Sequence, residues 1–173
     1  MHENRASGYL LGMVEPTLAN PPAAMSREDE ARCPDVRETR LSLIAIAACV
    51  GCLDLIVKVL KPTEADFYHR RTYSELILIL AISGAAVYFV PLARSRLVAA
   101  GIGLMVGGGI GNALSIAVFP LGVPNPFFLA HDGWAIAFNL ADVCVGIGFV
   151  LMAAGVIGLS VRRRHELRSA VER

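Results

Sequence analysis

Beyond its first forty residues the chain alternates long apolar runs with short polar breaks. The runs are Leu41 to Leu60, Leu76 to Leu92, Leu97 to Val118 and Trp134 to Val161. Each is near or above the roughly 20 residues that an α-helix needs to cross a ~30 Å hydrocarbon core. The pattern predicts an all-α integral membrane protein with four transmembrane helices at 41–60, 76–92, 97–118 and 134–161. Residues 1–38 differ in kind: they carry Pro16, Pro21, Pro22, Pro34 and the charged cluster "SREDEAR", and hold no apolar run of spanning length. They read as a disordered cytoplasmic tail ahead of a membrane domain at 39–173. The patch "GYLLGMV" lacks a basic flank and a long apolar stretch, so a cleaved signal peptide is not expected, and Met25 is an alternative start.

Composition agrees with the pattern. Hydrophobic residues make up 55% of the 173, charged residues 18%, and the mean hydropathy is +0.56, outside the range of ordinary soluble domains. The net charge of +1 says little, but the placement of the basic residues says more. Arg37 and Arg40 precede the first run, Arg94 and Arg96 sit in the tight second loop, and "RRRHELR" follows the fourth, whereas "FPLGVPNPFFLAHDG" contains no Lys or Arg. Basic residues favour the cytoplasmic side, so an N-in, C-in topology is expected, with Lys61, Arg70 and Arg71 in the first loop as a partial dissent. Nucleic acid is not an expected partner; membrane lipids are. The four cysteines are scattered and suggest no disulfide framework. "CVGC" has no second pair and no histidine, so neither a metal nor another cofactor is expected, and Cys49 and Cys52 read as small packing residues. Gly103, Gly107 and Gly111, with Gly101, Gly108 and Gly109 nearby, suit close helix packing.

Polar residues inside apolar runs are costly and must find partners in the bundle. At ~1.5 Å per residue from Leu41 and Leu97, Asp54 lies roughly 20 Å and Asn112 roughly 22 Å across. Counting inward from Trp134, Asn139 and Asp142 lie at ~8 and ~12 Å, which puts all four in one layer of the outer half-membrane. Asp54 and Lys58 share a helical face at i,i+4, suggesting an internal salt bridge with Lys58 reaching the outer interface. His131 and Asp132 read as a solvated pair, and Trp134 as an interfacial anchor at the start of the fourth helix.

"DLIVK", "GGGIGNALS" and "FNLAD" followed by "VCVGIG" occur in that order on helices one, three and four. Together they resemble the signal peptidase II family, aspartic endopeptidases that cleave signal peptides from lipid-modified prolipoproteins. The resemblance implies a four-helix bundle in a bacterial cytoplasmic membrane and a prolipoprotein or lipidated peptide as partner. The family's motifs, D-x-x-x-K, G-N-x-x-D-R and F-N-x-A-D, fall on Asp54, Lys58, Gly111, Asn112, Phe138, Asn139, Ala141 and Asp142. Asp142 takes the place of one catalytic aspartate; the other falls on Ser115, followed by Ile116 in place of Arg, while Asp54, Lys58, Asn112 and Asn139 take supporting places. Residue 115 is expected near the outer end of helix three, facing Asp142 across a gap. The family's N-x-G-x-A motif is missing from "KPTEADFYHRRTYSEL". An aspartyl pair needs one ionised and one protonated carboxyl, so the resemblance implies an impaired peptidase. The alternatives are an active endopeptidase whose second carboxylate is Asp54 or Asp132, and a non-enzymatic subunit or proton relay.

Overall fold

The structure is a computed structural model that describes residues 34–172. The expectations for a disordered tail, an absent signal peptide and a start at Met25 lie outside the described residues. Helix α1 spans Val36–Leu60, three residues ahead of the expected domain start; α2 spans Tyr73–Phe89, α3 Arg96–Val118 and α4 Leu140–Val171. All four are long and apolar enough to cross a membrane, α2 together with the 3-10 turn Val90–Ala93.

Helix α1 buries Leu43, Ala47, Val50, Gly51, Asp54 and Lys58. These recur every three or four residues and form one stripe. Leu53, Ile56, Val59 and Leu60 on the other side are exposed, as lipid-facing residues are. Cys49 and Cys52 also point outward as free thiols, so they are not the packing residues their small size suggests.

Helix α3 is the hub, and its glycines explain how. A side chain at Gly107 would strike the Ala47 carbonyl of α1 at 2.7 Å, and one at Gly108 the Ala141 carbonyl of α4 at 2.6 Å. Glycines on different faces of one helix thus let two neighbours approach to backbone contact. Helix α2 packs more lightly: a capping box between Thr72 and Glu75 starts it, and Ser83 is its one buried residue.

The fourth helix corrects the sequence reading. Trp134 to Phe138 is a strand, not the first turn and a half of α4. After β1 (Tyr68–His69), α2 and α3 come β2 (Val123–Pro124), β3 (Phe127–His131) and β4 (Trp134–Phe138). β3 and β4 form an antiparallel hairpin in which Phe127 pairs with Phe138 and His131 with Trp134; β1 pairs with β2. At the hairpin tip Asp132 and Gly133 have φ of 40° and 83°. Two central residues with positive φ, Asp then Gly, make the two-residue turn whose twist matches that of paired strands. Trp134 therefore sits on a strand beside His131, their rings 6.2 Å apart, and does not begin a helix. At its far end α4 runs ten residues past Val161, so "RRRHELR" is helical and an Arg162–Glu166 pair at 3.1 Å lies along it.

Candidate active site at the hairpin end of the bundle

Helices α1 and α3 finish, and α2 and α4 begin, at the end of the bundle that carries the hairpin. The cap and the second residue of α4 are buried there, with Asn139 1% and Ala141 0% exposed. A buried helix start must find acceptors for N–H groups that have no partner within the helix. The Asn139 side chain accepts from the Asp142 amide at 3.0 Å, and the Asp142 carboxylate accepts from the Asn139 amide at 3.1 Å. This reciprocal capping box uses the amide and the carboxylate of "FNLAD" at the spacing such a box requires. The Ala141 amide donates across the bundle to Asp54 Oδ1 at 2.8 Å. Two carboxylates thus lie at the positive end of the α4 dipole, where negative charge is favoured.

Lys58 ties α1 to α3. Its ammonium donates to Asp54 Oδ2 at 2.5 Å, to Asn112 Oδ1 at 2.8 Å and to Ser115 Oγ at 3.0 Å. An ammonium has three N–H bonds, so its capacity is filled. The expected Asp54–Lys58 pair is present, but Lys58 turns into the bundle, 3% exposed, and does not reach out to the interface. Three polar partners on two helices outweigh what one hydrated end would gain. Room for the pair comes from Gly111, where a Cβ would lie 2.8 Å from Asp54 Oδ2. Asn112 completes the link, donating through Nδ2 to Asp142 Oδ1 at 3.2 Å.

Asp54, Lys58, Asn112, Ser115, Asn139 and Asp142 therefore belong to one hydrogen-bonded cluster. The depth count that grouped them needs correcting: Asn139 and Asp142 are the cap and third residue of α4, not residues one to two turns inside a helix that starts at Trp134. Asp142 is exposed, whereas Asp54 and Ser115 are fully buried. Ser115 donates its hydroxyl to the Gly111 carbonyl at 2.7 Å and accepts from Lys58. It reaches Asp142 only through Lys58 and Asn112, with no bond across a shared gap. A Ser–Lys nucleophile pair does not follow from the 3.0 Å contact, because an amine acts as a base only when neutral and Lys58 is ion-paired to Asp54.

Asp132 lies apart from the cluster. It sits at the hairpin tip with its side chain 86% exposed, 3.1 Å from His131. The four steps from Phe138 to Trp134 alone span about 14 Å of strand. Asn125 was not singled out by sequence, yet its Oδ1 accepts from Asn139 Nδ2 at 2.7 Å and its amide donates to Phe67. Its place between two prolines in "PNPF" was the available signal, since a polar residue in a rigid segment holds a fixed position.

A family model described as signal peptidase (SPase) II matches residues 65–157, just over half of the chain. A lipoprotein signal peptidase from Methylorubrum extorquens (strain PA1) is 39% identical over 88 residues, which cover 47% of this chain and 46% of that protein. The matched stretch thus spans about half the length of this curated relative. Asn112, Ser115, Asn139 and Asp142 fall inside the family match; Asp54 and Lys58 on α1 lie ahead of it.

Proposed function

The chain belongs to the signal peptidase II family, and we propose that it holds a lipid-modified prolipoprotein or a lipidated peptide near Asp142 without cleaving it at the rate of an intact aspartyl pair. In this reading it is a multi-pass protein of a bacterial cytoplasmic membrane, with both ends of the described chain on the cytoplasmic side and the hairpin outside. The observation that carries the reading is Ser115. At the position of the second carboxyl stands a fully buried hydroxyl whose proton is already given to the Gly111 carbonyl.

Peptide hydrolysis by two carboxyls divides the work: one, ionised, takes a proton from water while the other, protonated, polarises the scissile carbonyl. Asp142 alone supplies one of these roles. Asp54 is poorly suited to the other, because Lys58 and the Ala141 amide occupy its two oxygens and no surface of it meets water. Asp132 is at the tip of the hairpin. Loss of a general acid or base costs about 10²–10⁴-fold in rate, and more where the pair acts as a unit.

The test is cleavage of a diacylated prolipoprotein by the purified chain, by Ser115→Asp and by Ser115→Asp/Asp142→Asn. A carboxylate at 115 would stand beside Lys58, which favours its ionised form and leaves the shared proton to Asp142. Negligible cleavage by wild type, measurable cleavage by Ser115→Asp and none by the double variant are expected. Robust cleavage by wild type sinks the impaired reading. Silence of all three folded forms directs attention to a proton-relay role for the Asp54–Lys58–Asn112–Asp142 chain.

A further inference from the structure

Beside the buried cluster, the ribbon of β3 and β4 leaves backbone groups unpaired. The two strands form a sheet of their own, so each has one neighbour and one open edge. A two-residue turn closes the ribbon between His131 and Trp134, and in an antiparallel pair the residues that exchange hydrogen bonds then alternate along each strand. His131 and Trp134, Leu129 and Ile136, and Phe127 and Phe138 therefore turn their N–H and C=O groups toward each other, while those of Ala135 and Ala137 point away from β3. Among the described residues no backbone hydrogen bond reaches Ala135 or Ala137 from another segment. A row of unpaired backbone groups is a template for one more strand.

Asp142 stands at the end of the same row. Asn139 follows Phe138 in extended backbone, with φ of −127° and ψ of 177°, so its amide points to the same side as those of Ala135 and Ala137. That amide donates to Asp142 Oδ2 at 3.1 Å. The exposed carboxylate thus borders the open edge two residues, or about 7 Å, beyond Ala137. The edge is also unprotected. Open edges are usually blunted by a charge, a proline or a bulge, and "WAIAF" has none of these and pairs residue for residue with β3. On the β3 side the outward row is Pro126, Phe128 and Ala130, and it starts with a residue that has no N–H to offer.

We infer that the open edge of β4 binds an extended peptide as a third strand, through the N–H and C=O groups of Ala135 and Ala137, with the next peptide group against Asp142. The occupant must carry a row of amides at strand spacing, which a peptide has and a lipid lacks. Leu129, Ile136 and Trp134 share one face of the ribbon and are exposed, an apolar bed for every second side chain of the added strand. The inference rests on the reading of the chain as a holder of a lipid-modified prolipoprotein, and it adds that the peptide part is recognised by its main chain.

The test measures retention of a short synthetic peptide bearing an S-diacylglyceryl cysteine by the full chain in detergent, by native mass spectrometry, with an N-methyl group walked one amide at a time along the peptide. Methylation of an edge-facing amide removes one hydrogen bond and should weaken binding about tenfold, while methylation of the amides between should change it by less than about twofold. On the protein, Ala135→Pro removes one outward N–H without touching the β3 ladder and should weaken binding about fivefold, whereas Ala130→Pro, the matching change on the opposite edge, should leave it unchanged. Each variant's unfolding transition checks that it folds, and the methyl walk needs no variant. A bound peptide whose methyl walk shows no alternation, or equal weakening by the two proline variants, overturns the added strand and leaves the proposed function standing. An unmethylated peptide that is not retained removes both. A dimer of the full chain that Ala135→Pro dissolves assigns the edge to a second copy instead.

Discussion

Lys58 is the donor on which the buried cluster depends, and Lys58→Met removes it with little change in side-chain length. In the folded protein the variant leaves Asp54, fully buried, with the Ala141 amide as its one remaining partner, and leaves Asn112 Oδ1 without a donor. Ser115 keeps its bond to Gly111 and loses least. Removing one member of a buried ion pair costs about 3–5 kcal/mol, because the surviving charge is stranded. The stranded amide oxygen of Asn112 adds about 1 kcal/mol. Pairing the change with Asp54→Asn removes the charge while keeping an acceptor for Ala141, so the double variant should lose only about 1–2 kcal/mol. Reversible unfolding in mixed micelles, run as a double-mutant cycle, reads both values. A Lys58→Met cost below about 1 kcal/mol, or additive single effects, would refute the view that the ion pair holds α1 to α3.

Three further outcomes follow from the geometry. Asn139→Ala removes the capping box and the bond to Asn125 and should destabilise by about 1–2 kcal/mol in the same unfolding assay, whereas Asn139→Asp should retain the cap. Gly111→Ala places a methyl 2.8 Å from Asp54 Oδ2 and should cost about 1–3 kcal/mol by forcing α1 and α3 apart; a neutral effect would show that the contact is not tight. Single cysteines introduced at Asp132 and Arg94, in a background without the native thiols, should be labelled by an impermeant reagent from the outer and the inner side respectively, and the reverse pattern would invert the proposed topology.

Length and apolarity of four runs were enough to predict four spanning helices, because a bilayer of fixed thickness imposes that length whatever the packing. The glycines of the third run announced close packing in the same way, since only the smallest residues let backbones touch. The motif residues Asp54, Asn112, Asn139 and Asp142 were also legible, as polar groups that hydrocarbon does not tolerate without partners. Which partner each would take was not. Lys58 could have satisfied its charge at the interface or within the bundle, and only the positions of Asn112 and Ser115 on a neighbouring helix decided for the interior. Trp134 to Phe138 is apolar in either state, so hydrophobicity alone could not tell a strand from the start of a helix. The Asp-Gly turn made a hairpin available there, and the β3 partner, with Phe127 stacked on Phe138 at 5.6 Å, fixed it. That choice set the start of α4 at Asn139, and with it the double duty of Asp142 as capping residue and exposed carboxylate. A local sequence specifies which groups need partners; the tertiary structure decides who they are, because the candidates lie dozens of residues apart and only packing brings them within hydrogen-bonding distance.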